Sequence, residues 1–195
     1  LIRSRGLGDV YKRQLQHAVD LAKQHELPLV VIECLALQHR WANDRISTFV
    51  LQGMVDNRSA FADSGVTYIP YVETKRREAS GLLKGWLEHA RLCVIDDYPT
   101  YYPKHVLDTA LTVMPCEIHV VDSNGFMAMR AQGRDFSTAY SLRRHLHKTI
   151  REHMHEFPKQ RPLEDARELP QMDPAVVKAI FAQTNTPMTP YEFLW

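Results

Sequence analysis

The chain has 195 residues, 45% of them hydrophobic, which is enough for one α/β domain with its own core plus a tail. Its 24 basic and 23 acidic residues leave a formal net charge of +1, so overall charge excludes a general polyanion binder and any cationic surface has to be local. Three cysteines, Cys34, Cys93 and Cys116, lie in or beside apolar runs; they exclude a disulfide scaffold and fit a reducing cytoplasm.

The leading segment Ser4–Gln14 reads SRGLGDVYKRQ, which looks like one frame of a sequencing adapter, and residues 1–14 are set aside as non-native. Gly6-Leu7-Gly8 is then no dinucleotide fingerprint, since no strand precedes it. From Leu15 onward the pattern predicts a helix over 15–25, a strand over 29–33, a helix over 47–63 and a strand over 67–72. A helix over 79–90, a strand over 92–96, a helix over 104–112 and a strand over 117–121 follow. Strands alternating with helices of this length imply parallel pairing. The strands are almost wholly apolar, as a sheet covered on both faces requires. Ser64-Gly65 and Met114-Pro115 read as helix stops. No apolar run approaches the ~20 residues needed to cross a bilayer.

Asp122-Ser123-Asn124-Gly125 closes the last strand. From Thr138 the period changes: Leu142, Leu146, Ile150, Met154 and Phe157 fall on one helical face, and Arg144, His147, Lys148, Arg151 and His155 on the opposite one. The helix is expected to reach Phe157, before Pro158. Residues 163–172 read as a charged loop, Asp173-Pro174 as a helix start, 175–182 as a short apolar helix and 184–190 as linker.

In an open α/β sheet, ligands bind beyond the carboxyl ends of the strands. Glu33 with Cys34, Asp96-Asp97-Tyr98 and Asp122–Asn124 fall there. Adjacent acids beside a stacking ring at Tyr98 suit a planar heteroaromatic ligand; the same residues also serve as ordinary helix and turn caps. Arg144, Lys148 and Arg151 form a stripe able to contact phosphates, or equally a solvated face or a dock for another domain. Tyr98, Tyr101 and Tyr102 could stack bases or simply pack. Ten histidines invite a metal, but His145/His147 and His153/His155 are two apart and point to different helix faces, so no metal site is expected. Neither a nucleophile elbow nor a Walker-type phosphate loop is present.

The segment Val121-Asp122-Ser123-Asn124 followed by Phe136-Ser137-Thr138-Ala139-Tyr140-Ser141-Leu142-Arg143-Arg144-His145-Leu146-His147 resembles the end of the N-terminal α/β domain of the photolyase and cryptochrome family, in particular class II deoxyribodipyrimidine photolyases. The resemblance spans roughly Leu15 to Pro162. It implies a Rossmann-like parallel sheet with helices on both faces and the first strand missing. Residues 15–162 would be the antenna domain, and 163–195 the linker and start of an absent FAD-binding helical domain. The implied parent is a cytoplasmic lyase in which light-excited reduced FAD passes an electron to a cyclobutane pyrimidine dimer in damaged DNA, with this piece itself inactive. The antenna pigment, a folate or a deazaflavin, would sit in the crevice near Glu33, Asp96, Asp97 and Tyr98. Two alternatives are a cryptochrome-like blue-light photoreceptor and a stand-alone nucleotide-binding α/β domain. The last predicts a Gly-rich loop after a late strand, where Asp122–Phe126 offers one Gly only.

Overall fold

The computed structural model describes residues 13–36, 42–99, 101–113, 115–125, 127–155 and 157–188, with backbone alone at 101–103. The leading residues 1–12, Met114 and residues 189–195 lie outside it, as do the side chains of Tyr101 and Tyr102. In chain order the elements are α1 (Arg13–His25), β1 (Val30–Leu35), α2 (Asp44–Phe61), β2 (Thr67–Val72), α3 (Leu82–His89), β3 (Leu92–Asp96), α4 (Tyr101–Val113), β4 (Glu117–Val121), α5 (Ala139–His153) and α6 (Pro174–Gln183). Two 3₁₀ turns lie at Met129–Gln132 and Pro162–Ala166.

The fold is α/β and Rossmann-like, but its sheet is split. β1 pairs in parallel with β2, Val30 opposite Thr67 through Leu35 opposite Val72, and β3 pairs in parallel with β4, Leu92 opposite Glu117 through Asp96 opposite Val121. Helices cover both faces of the pairs. On one side Leu15, Ala18 and Val19 of α1 and Phe61 of α2 bury Val31 and Val94. On the other, Leu82 and Trp86 of α3 and Ile180 and Phe181 of α6 bury Val30, Ile32, Ile69 and Tyr71, while Leu87 packs with Cys93, Ile95 and α4. α1 thus packs on both pairs from one face and α3 on both from the other.

Strand alternation defines the seam between them. Thr67 N–H donates to Leu29 O and Glu73 N–H to Leu35 O, so the odd residues of β1 turn their backbone groups toward β2 and Val30 and Ile32 turn theirs toward β3. Asp97 N–H donates to Val121 O, so Val94 turns its groups away from β4, toward β1. Gln14, 0% exposed, fills part of the seam: its side-chain amide donates to Val94 O at 3.2 Å. A buried carbonyl at a sheet edge needs such a partner. In doubly wound sheets the first strand lies between the second and fourth, and among the described residues no strand occupies that position.

Local chemistry explains the element ends. Asn43 caps α2 by accepting from Ile46 N–H at 3.0 Å, and Asp173 caps α6 by accepting from Ala175 N–H at 2.8 Å, with Pro174 in the first turn. Gly65 takes a left-handed φ of 59°, and a Cβ there would lie 2.3 Å from Ala166 O. Two expectations need correction. The third helix starts at Leu82 rather than 79, because the Glu78 carboxylate accepts from Thr74 N–H at 2.7 Å and Lys75 N–H at 3.2 Å, which holds 74–78 in a turn. α5 stops at His153, short of Phe157, since a proline constrains only the residue before it and sets an outer limit.

The tail is not apart from the core. Ala166 and Leu169 are buried against α1, and Val177, Ile180 and Phe181 against β1 and β2. α6 approaches α3 at Gly85, where a Cβ would lie 2.2 Å from Thr184 Cγ2. Arg13 and Gln14, set aside with the leading segment, open α1; Arg13 donates to Gly125 O at 2.6 Å.

Candidate ligand crevice and cationic helix

The seam opens at the carboxyl ends of the strands into a cavity of about 320 Å³. Ile32 and Cys34 of β1, Val94 and Ile95 of β3, Trp86 of α3 and His105 of α4 line it. A smaller cavity of about 180 Å³ opens at the amino ends, and Trp86 lines both. Among the described residues the buried Trp86 indole N–H has no hydrogen-bond partner, which is costly unless a ligand or water accepts from it. A larger hollow of about 430 Å³ lies elsewhere, between α2 and residues 160–167. It is lined by charges of both signs, and Arg161 there is already paired to Glu164 at 3.2 Å.

Of the residues expected in the crevice, the structure commits two to other partners. Glu33 is buried and turned toward α2. Its Oε2 accepts from Tyr68 Oη at 2.5 Å and from Asn57 Nδ2 at 2.9 Å. Strand alternation puts it on the face opposite Cys34. Asp97 is buried as well, and its carboxylate is gripped by Arg130, with Nε to Oδ2 at 2.6 Å and Nη2 to Oδ1 at 3.2 Å. This charge-assisted fork raises the Arg130 pKa further, through the hydrogen bond and then the charge of Asp97. Asn124 donates to Asp97 O at 2.8 Å, and Asp122 accepts from Met129 N–H at 2.6 Å. Together these tie the loop after β4 over the end of β3. Asp96 ends β3 on the α1 side, and Tyr98 is exposed beyond it. The crevice wall thus includes Cys34, which its strand-end position already offered, together with Trp86, Ile95 and His105, which the sequence presents as ordinary strand and helix residues. The one available signal was position: Cys34 and Ile95 stand at strand carboxyl ends.

Burial raises the thiol pKa of Cys93 to about 11 and raises that of Cys116. Both act as apolar packing groups rather than nucleophiles. Burial likewise raises the Tyr71 hydroxyl pKa, with Glu78, Cys34 and Glu73 adding to the effect. Between α1 and β4, Glu117 Oε1 accepts from His119 Nε2 at 2.9 Å, which leaves His119 Nδ1 to accept from His17 Nε2 at 2.9 Å. Desolvation and then the neighbouring His119 lower the His17 pKa, partly opposed by Asp20. Among the described residues no three His, Cys, Asp or Glu converge as a metal set, and no helix is long and apolar enough to cross a membrane.

The basic stripe lies where the period put it. Arg144, Lys148 and Arg151 are all exposed on α5, one to two turns apart. Arg144 and Lys148 share a hollow of about 260 Å³ with Arg134, Tyr140, Ser141 and His145, whereas Arg151 lies outside it. Arg134 comes from the loop ahead of α5, which no helical pattern could have revealed.

Fold and site define an open-sheet α/β domain with an apolar crevice at the strand ends and a cationic helix beside it. No protein-family model matches the chain, and no curated protein matches it.

Proposed function

We propose that this chain is the antenna-chromophore domain of a photolyase-like flavoprotein that repairs cyclobutane pyrimidine dimers in DNA under light. The observation that carries the reading is the 320 Å³ crevice between β1 and β3. Its walls are mostly apolar, it includes a buried indole N–H lacking an acceptor among the described residues, and it has the size and chemistry of a site for a planar heteroaromatic ring such as a folate or a deazaflavin. Trp86 would offer a stacking face and a donor, and His105 a second polar contact. Glu33 and Asp97 would act indirectly: Glu33 fixes β1 against α2, and Asp97 with Arg130 holds the loop beside the crevice mouth. Tyr98 and Asp96 would border that mouth.

In this reading FAD and the dimer are handled outside residues 13–188, and the exposed face of α5 would meet the DNA backbone. When bound, FAD supplies the electron. The chain described here contributes a rigid seat for the pigment, so the piece alone would not repair DNA.

The test is to express the protein in its genomic reading frame, record its absorption spectrum and assay dimer loss in an irradiated oligonucleotide under blue light. A flavin spectrum with light-dependent dimer loss supports the reading. Flavin without repair moves it to a blue-light photoreceptor, and absence of flavin overturns both.

A further inference from the structure

We propose that the hollow at the amino-terminal half of α5 is a phosphate-binding site, taking a phosphoryl group between Arg134, Arg144 and Lys148 with His145 and Ser141 beside them. The inference deepens the DNA-facing part of the reading above and rests on that part only for the source of the phosphate. The site itself stands on geometry.

Three cations line one hollow of about 260 Å³, room for several water volumes of about 30 Å³ each. No ion pair among the described residues involves Arg134, Arg144 or Lys148. Carboxylates do pair with neighbouring cations elsewhere, as Lys104 with Asp108 at 2.7 Å and Lys159 with Asp165 at 2.5 Å. The hollow is therefore a concentration of positive charge that no ion pair among the described residues neutralises.

The helix supplies no counter-charge: α5 has no acid before Glu152, while Arg143, Arg144 and Lys148 follow one another along its second and third turns.

Aromatic contacts orient two of the three cations beforehand. The Arg134 guanidinium lies 4.7 Å from the Phe136 ring centre and that of Arg144 lies 5.9 Å from Tyr140. Phe136 also packs on His145, with ring centres 5.0 Å apart. Among the described residues His145 Nε2 has no hydrogen-bond partner, and His145 lines the same hollow. Ser141 lies on the hollow wall, its backbone N–H already given to Thr138 Oγ1 at 3.2 Å. Two planar forks and an ammonium around one cavity can each take an oxygen of a single phosphate, whereas a carboxylate has only two oxygens to share.

Titration of the 195-residue chain with inorganic phosphate, followed by the backbone amide shifts of Ser141 and His145, tests the site. The expected result is a saturable shift that sodium chloride at equal ionic strength does not reproduce. Arg144→Gln and Lys148→Gln should each weaken it about tenfold, the worth of one charge-assisted hydrogen bond, and Arg151→Gln should leave it unchanged. These side chains are exposed, so the variants should keep the parent's far-ultraviolet spectrum. A chloride-equivalent shift, or full phosphate affinity in the Arg144 and Lys148 variants, overturns the proposal. In a second arm, a short single-stranded oligonucleotide is added to the phosphate-saturated protein. Displacement of phosphate identifies a nucleic-acid backbone as the source; phosphate binding without displacement supports the site and assigns it to a small phosphorylated molecule. Absence of flavin in the longer protein would leave these results untouched.

Discussion

The two ends of this molecule are built to opposite rules. Around β1 and β2, apolar residues are covered on both faces, and the buried acid inside, Glu33, has hydrogen-bond donors in Tyr68 and Asn57. Around β4 and α5, no residue of α5 is buried, Val120 is 42% exposed, and Tyr140 and Phe157 are 65% and 59% exposed. α5 nevertheless carries a regular apolar stripe and a regular basic one. A helix with that pattern gains most of its stability from what it packs on, so α5 should be held less firmly than the elements around β1 and β2.

The largest expected effect separates the halves by stability. Leu15, 1% exposed among Val31 and Val94, should cost about 3 kcal/mol on truncation to Ala in urea unfolding. Leu146→Ala on α5 should cost under about 1 kcal/mol. Equal losses would erase the contrast. Next comes the tail. Gly65→Ala puts a Cβ against Ala166 O at a left-handed φ and should cost about 2 kcal/mol, with increased proteolysis within 162–183, because that turn holds the Pro162–Ala166 segment against α1. Glu33→Gln should cost about 1–2 kcal/mol by weakening the buried hydrogen bonds from Tyr68 and Asn57, read in the same urea unfolding.

The smallest effect is a pH dependence at the junction of the halves. The folded chain lowers the His17 pKa below its ordinary value of 6.5. Below pH 6.5 the unfolded chain takes up a proton that the folded one resists, so this contribution is full above pH 6.5 and is lost as pH falls through 6.5 toward the lowered folded value. Urea midpoints between pH 7.5 and 5.5 should fall more steeply for the parent than for His17→Gln. Parallel slopes would remove His17 from the account.

Much of the frame was legible in the residues. The strands 67–72, 92–96 and 117–121 match to the residue, because short apolar runs closed by turn formers leave little freedom. β1 extends to Leu35 instead of ending at Glu33, since Glu33 is an acid in a buried strand and its acceptor role is visible only once Tyr68 and Asn57 are in place. The split of the sheet depends on what lies between β1 and β3, which pattern alone does not reveal. The same limit applied to the site. Asp97 stood at a strand end as a ligand candidate should, but its partner Arg130 is 33 positions on, brought back by the loop after β4. The stripe of Arg144, Lys148 and Arg151 follows from the helical period, while Arg134 enters the hollow only through the path of an irregular loop.

Native-state hydrogen exchange resolved to single amides tests the contrast most directly. The account predicts that amides of Val31, Ile69 and Val94 exchange only by global unfolding, that those of α5 exchange far faster, and that inorganic phosphate slows α5 alone. Protection of α5 equal to that of β1 in the absence of any ligand would contradict it.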